Sequence, residues 1–306
     1  MKIWLGGAMG QLGSQLRGIL AAGHSELGSL PEAYRDARLI CADCAPGGDE
    51  RLDITDADAV MGSIMRARPD VVINLAAMTQ VDACEAQRDD ALRFNALGAR
   101  NVAIAAAKAG ARMMQLSSDY VFAGDRTDGI PYAEWDEPGP RTVYGATKLM
   151  GERYVQRHCP ESYIVRISWL YGHTGGNFVR TILRYACERG RLDVVNDQLG
   201  NPTYAEDLAH HMLLIALTSE WGVYHVTGSG ICSWYDFARE IVALSGTPCE
   251  VTPIKTDQSG RAAPRPLWSA LDHTMLRLTV GDGMRNWREA LGAFIDIKEA
   301  EPWLPA

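Results

Sequence analysis

No apolar run in this chain of 306 residues approaches the roughly 18–20 residues that a bilayer-spanning helix needs. A surplus of positive charge is missing too. The 30 Lys and Arg face 38 Asp and Glu, a formal net charge of −8, and they form no cluster. Nucleic acid leaves a basic footprint, so neither it nor a membrane is an expected partner. A disulfide framework is absent, because the seven cysteines are odd in number and scattered from Cys41 to Cys249. Cys41 and Cys44 have CxxC spacing, but no second Cys or His pair follows to complete a zinc site. They close an apparent strand instead of opening a helix, and read as two buried or half-buried thiols. His173, His210 and His211 lack metal-ligand spacing and are read as incidental. The opening MKIWLGGAMGQLG lacks the longer, glycine-poor apolar core of a secretion signal, and the cytoplasm is the expected location.

What is present is an ordinary globular composition, 47% hydrophobic and 22% charged, with enough chain for about two domains' worth of core. Short apolar runs alternate with helical patterns through the first half: KIWLGG, RLICAD, DVVINLAA, ARMMQLSS and SYIVRIS as strands, with helices between them. That rhythm predicts an α/β fold of Rossmann type, a doubly wound parallel sheet with helices on both faces. Beyond about residue 170 the rhythm loosens, which predicts a smaller C-terminal α/β lobe. In a doubly wound fold the expected division is 1–168 for a dinucleotide-binding domain and 169–306 mainly for a substrate-binding lobe, with about 192–226 returning to the first domain.

Six stretches carry chemistry. GAMGQLG, with Gly7, Gly10 and Gly13, falls between the first strand and first helix, where glycine permits close backbone approach to a pyrophosphate. Asp43 ends the second strand, placed to accept ribose hydroxyls and to repel a 2′-phosphate, which favours NADH over NADPH. Asp53 and Ile54 lie where a following loop meets the adenine. Ala76 and Ala77, at the third strand's end, are small enough for a cofactor to lie on the backbone. Ser117 and Ser118 end a later strand on the same edge. Finally, Tyr144 and Lys148 stand four residues apart, on one face of a helix. Alone, that last pair cannot be told from a solvated surface pair; the company it keeps decides.

In this order, GAMGQLG, LDITD, NLAA, SSDYVF and YGATK resemble an extended short-chain dehydrogenase/reductase. RPDVVINLAAMTQVDACE, NDQLGNPT and APRPLWSALD narrow the resemblance to the dTDP-4-dehydrorhamnose reductase family, over nearly the whole chain. The resemblance implies reduction of the C4 ketone of dTDP-4-dehydro-β-L-rhamnose to dTDP-L-rhamnose by NADPH or NADH. It makes Tyr144 the acid, sets Lys148 on the nicotinamide ribose, and places the Ser118 hydroxyl beside the substrate carbonyl. Gly10, Gln11 and Leu12 would cradle the pyrophosphate, Asp53 and Ile54 the adenine, and Ala77 to Thr79 would line the cofactor. Asp119 and Trp169 would contact the deoxysugar, and Arg265 the diphosphate. Some relatives dimerise through magnesium held by glutamates. Gln15 replaces one of these here, Glu206 matches a second, and the last helix offers no third. A bridging magnesium is therefore not expected, and a monomer or metal-independent homodimer is. Two other functions fit the same motifs: a 4-ketoreductase or epimerase for another nucleotide sugar, and a non-catalytic regulator like the methionine adenosyltransferase β-subunit.

Overall fold

The computed structural model of the chain describes residues 1–296. Its first half lays down β1 (Lys2–Gly6), α1 (Gln11–Ala22), β2 (Arg38–Asp43), β3 (Glu50–Arg51), α2 (Ala57–Ala67) and β4 (Val71–Asn74). A short α3 (Val81–Ala86) and α4 (Arg88–Leu92) follow, running through a π-turn at Arg93–Gly98 into α5 (Ala99–Ala109). Then come β5 (Arg112–Ser118), α6 (Val143–His158) and β6 (Ser162–Ile167). Every residue of β4 and of β6 is buried, as strands covered on both faces must be. Gly23 and Gly110, both left-handed, end α1 and α5 where the helical patterns stop.

The second half contains α7 (Phe178–Arg189), β7 (Arg191–Val195), α8 (Ala205–Ile215), β8 (Gly222–His225) and α9 (Trp234–Ser245). It closes with β9 (Glu250–Ile254), α10 (Thr274–Thr279) and α11 (Trp287–Asp296). Seven strands form one parallel sheet in the order β8-β6-β5-β4-β1-β2-β3. Leu12, Leu16 and Ile19 of α1 and Leu208 and Met212 of α8 cover one face. Val60 and Ile64 of α2, Val102 and Ala106 of α5 and Val155 of α6 cover the other. This is the expected doubly wound Rossmann-type arrangement. A third core, with Val179, Ile182, Phe237, Ile241, Trp287 and Phe294, joins α7, α9 and α11.

The chain crosses between these bodies differently from the expected 192–226. Strand β7 pairs with β9 in register Leu192↔Val251, beside the third core. Only from α8 onward does the chain rejoin the large sheet, with β8 alongside β6. A further return was not foreseen: Leu276 of α10 and Met284 pack in the α1/α8 core. Strand β9, EVTPI, carries a proline and is half exposed, so its sequence gave no strand signal; an edge strand tolerates both.

Candidate active site

The C-terminal ends of β2, β1, β4, β5 and β6 open on one cleft of about 750 Å³. Sheet order fixes the order along it: Asp43 at the end of β2, the glycine loop after β1, Ala76 and Ala77 after β4, Ser118 at the end of β5, Trp169 after β6. Neighbouring strands stand about 4.8 Å apart, so β2 to β5 covers roughly 14 Å, a span along which doubly wound folds lay a dinucleotide.

Gly7, Gly10, Gln11, Leu12 and Gly13 all line this cleft. Gly10 starts α1 without a side-chain cap, which leaves the helix's first N–H groups free for an anion. A Cβ on Gly13 would lie 2.4 Å from the Gly7 carbonyl oxygen, so only glycine permits this tight entry to the helix. Asp43 is buried and holds the loop: its Oδ2 accepts from Met9 N at 2.8 Å and its Oδ1 from Ala45 N at 2.9 Å. Asp53, Ile54 and Thr79 complete this part of the wall, and Asn101 fixes Ile54 by donating to its carbonyl at 3.1 Å. The Gln11 side chain accepts from Asn177 Nδ2 at 3.1 Å, which ties the glycine loop to the start of α7.

Ser118, Tyr144 and Lys148 line the same cleft. Helix α6 can deliver Tyr144 there because Gly145 has no side chain; a Cβ would stand 2.0 Å from the Tyr120 carbonyl oxygen. Thr142 caps the helix by accepting from Gly145 N at 3.0 Å, and Glu85 accepts from Val143 N at 2.8 Å. Burial pushes the Tyr144 hydroxyl well up from the usual tyrosine range, and a hydrogen bond with Ser118 opposes it. Ser118 Oγ donates to Asp119 Oδ1 at 2.8 Å. Lys148 is buried, and Nζ donates to the Leu116 carbonyl at 2.6 Å. Burial pulls this lysine down to about 8, with the Glu152 carboxylate acting against the shift. Glu152 is itself clamped by Arg166, at 3.0 and 2.8 Å, and by the Ser117 hydroxyl. Asp119 is buried, and burial raises its carboxyl to about 6. Its Oδ2 has no protein partner and so remains an acceptor. Trp169 adopts the left-handed region, φ 47°, and stacks on Trp234 with ring centroids 3.6 Å apart. Both indoles line the cleft.

Arg265 is the exception. It does not line the large cleft but a neighbouring cavity of about 80 Å³, with Nη2 given to Asp82 at 2.7 Å. Cys44 is exposed on the cleft wall and not half-buried as expected, while Cys41 is buried. Gln15 donates its amide to Glu206, and His210 and His211 bond Ser25 and the Asp207 carbonyl. Several residues escaped the sequence reading. Trp234 sits on an ordinary amphipathic helix, and its partnership with Trp169 is purely tertiary. Asn95 lies in the π-turn, accepting from Met78 N at 2.8 Å and donating to Met78 O at 3.0 Å and Thr147 Oγ1 at 3.2 Å. It thus joins the cofactor-side wall to α6. Tyr120 had a signal, since it stands within SSDYVF.

The model of the RmlD substrate binding domain family matches residues 1–299. The chain belongs to the dTDP-4-dehydrorhamnose reductase family. It is an NAD(P)H-dependent oxidoreductase of the extended short-chain type. A dTDP-4-dehydrorhamnose reductase of Streptomyces griseus is 41% identical over 251 residues, 80% of this chain and 82% of that one. A probable dTDP-4,6-dihydroxy-2-methyloxan-3-one 4-ketoreductase of Streptomyces antibioticus is 36% identical over 98% of this chain and 97% of its own length. The solved dTDP-4-dehydrorhamnose reductase of Bacillus anthracis, in complex with NADP, is 39% identical with a TM-score of 0.87, covering 97% of this chain and 99% of that one.

Proposed function

We propose that this reductase converts the C4 ketone of dTDP-4-dehydro-β-L-rhamnose to the alcohol of dTDP-L-rhamnose, with Tyr144 as proton donor. The observation that carries the reading is that Ser118, Tyr144 and Lys148 share one cleft with the glycine loop. The cleft fits a dinucleotide: glycine where a Cβ would close the loop, an uncapped helix N-terminus, and Asp43 at the adenosine side. When bound, NAD(P)H supplies the hydride for C4. Ser118 orients and polarises the carbonyl; a donor of this kind is typically worth about 3 kcal/mol. Tyr144, kept protonated by burial, gives its proton to the developing alkoxide.

A cation one helical turn from a tyrosine ordinarily lowers its pKa. In the structure burial dominates and moves the hydroxyl upward, and Lys148 is not among the strongest influences on it. Lys148 is better cast as the buried cation that receives the phenolate's charge after proton transfer and holds the ribose hydroxyls. Asp119 Oδ2 and the Trp169 indole serve the sugar, one as acceptor and one as an apolar wall. Asp43 favours NADH, because a fixed carboxylate beside the ribose repels a 2′-phosphate. With Gln15 spent on Glu206, no metal is assigned to that position, and the oligomer is a monomer or a metal-free homodimer.

The test is oxidation of NADH and of NADPH with the 4-keto sugar generated in situ, the product being compared with authentic dTDP-L-rhamnose. Absence of oxidation with either cofactor, at intact cofactor binding, would overturn the reading in favour of a binding subunit. A second reading, another dTDP-linked 4-keto sugar, is favoured by the Streptomyces antibioticus likeness and gives oxidation with a different product.

A further inference from the structure

Helix α3 directly follows the cofactor-side wall, and Val81 at its start lines the cleft. Two acids three residues apart on it hold different parts of the molecule. Glu85 accepts from Val143 N, the first residue of α6. Asp82 accepts from Ala263 N at 2.9 Å and from Arg265 Nη2 at 2.7 Å, with the Arg261 guanidinium 3.8 Å away. All three Asp82 partners belong to the loop between β9 and α10, a segment with little regular structure of its own. The Ala263 N–H, with the two arginines, keeps the Asp82 carboxyl below the usual range. A second anchor lies at the loop's far side, where Leu267 N and Trp268 N donate to the Gly124 carbonyl at 2.9 and 3.0 Å.

The latched loop reaches the reacting end of the cleft through Arg265. Its guanidinium and Tyr120 line the same small cavity, where its positive charge opposes the upward pull of burial on the Tyr120 hydroxyl, and the Tyr120 ring meets Tyr144 edge-on at 5.5 Å. Tyr120 lines both the main cleft and the small cavity that Arg265 shares with it. Arg265 Nη1 is buried without a partner, so the guanidinium retains a donor that nothing in the protein uses. We propose that Asp82 is a positioning residue: it latches the 261–265 loop of the C-terminal lobe to α3, and so holds Arg265 and Tyr120 in register beside Tyr144 to receive the nucleotide part of the substrate. The latch itself stands on geometry alone; the nature of the ligand rests on the ketoreductase reading. Asp82 touches neither reacting atoms nor cofactor wall. Its effect falls on affinity for the nucleotide sugar, not on the chemical step.

The experiment compares Asp82→Asn and Asp82→Glu with the parent enzyme in three readouts. Asn keeps an acceptor for Ala263 N but gives Arg265 no charge; loss of a charged hydrogen bond corresponds to roughly a tenfold effect. Expected for Asp82→Asn are cleavage by trypsin after Arg261 roughly tenfold faster and a similarly weaker Kd for dTDP. The KM for the 4-keto sugar rises alongside, while kcat and NADH affinity hold. Asp82→Glu recovers much of each. Unchanged cleavage overturns the latch. Faster cleavage with unchanged dTDP affinity overturns its role in binding, and parallel loss of NADH affinity and melting temperature marks Asp82 as merely structural. Because cleavage and dTDP binding need no turnover, a parent enzyme inactive on this sugar would count against the proposed substrate and leave the latch readable.

Discussion

Tyr144 and Lys148 are shifted by the same cause in ways that suit different tasks. Burial favours the neutral form of each, so the tyrosine keeps its proton and the lysine titrates near 8. Replacing Tyr144 by Phe should cut turnover by roughly 10²–10⁴-fold while cofactor binding, followed by NADH fluorescence, is retained. Near-normal turnover would remove Tyr144 from the mechanism. In the reducing direction, kcat/KM should fall as pH rises through about 8, because Lys148 loses its charge there while Tyr144 is still protonated. Lys148→Arg, which stays charged, should abolish that limb in whatever activity remains. The same shift bears on stability. Lys148 has a folded-state pKa near 8 against 10.5 when free, so the unfolded chain binds more protons between those values. Stability therefore gains as pH rises across that window. Lys148→Met removes a buried charge and leaves Glu152 still paired with Arg166. A thermal melt near pH 7 should show an increase, at about 2–4 °C per kcal/mol recovered, beside lost activity. A lower melting temperature would mean that the lysine's bond to Leu116 outweighs its desolvation.

At the scale of elements, α6 brings Tyr144 to the cleft only because it can approach its neighbours closely. Its Gly145 lies against the Tyr120 carbonyl, immediately beyond the strand that carries Ser118. A methyl there must push the helix or that backbone aside, an overpacking cost of typically 1–3 kcal/mol. Gly145→Ala should therefore lower the melting temperature by several degrees and reduce kcat more than it weakens NADH binding, since the glycine loop is untouched. Unchanged kcat would show that the Ser118–Tyr144 geometry tolerates the shift. The π-turn at Arg93–Gly98 interrupts what reads in sequence as one long helix, and Asn95 within it bonds both Met78 and Thr147. Helical periodicity cannot reveal such a turn, because one extra residue changes the register without changing composition.

At the scale of the whole molecule, the cleft is the meeting of two differently built bodies. The large sheet supplies Asp43, the glycine loop and Ser118, and the third core positions Trp234 against Trp169. Cofactor should stabilise the assembled fold by linkage, about 2.7 kcal/mol at a concentration of 100 times Kd. Measured by thermal shift at equal concentrations, NADH should stabilise more than NADPH if Asp43 faces the ribose as proposed. The reverse order would place an unassigned cation near the loop after β2. No helix among the described residues is long and apolar enough to cross a membrane.

Alternating apolar runs and glycine stops determined the doubly wound sheet, since burial on both faces leaves a strand no other composition. Short motifs at strand ends determined most of the cleft wall, because in a parallel sheet all strand C-termini emerge on one edge. Three things were decided only by tertiary structure. Arg265 lines a smaller cavity beside the large cleft, paired with Asp82, a partner 183 positions earlier in sequence that no local motif encodes. Trp234 entered the cleft through a stack that no spacing encodes. The direction of the Tyr144 shift was set by how deeply the fold buries it, a quantity summed over every element around the cleft and carried by none of them alone.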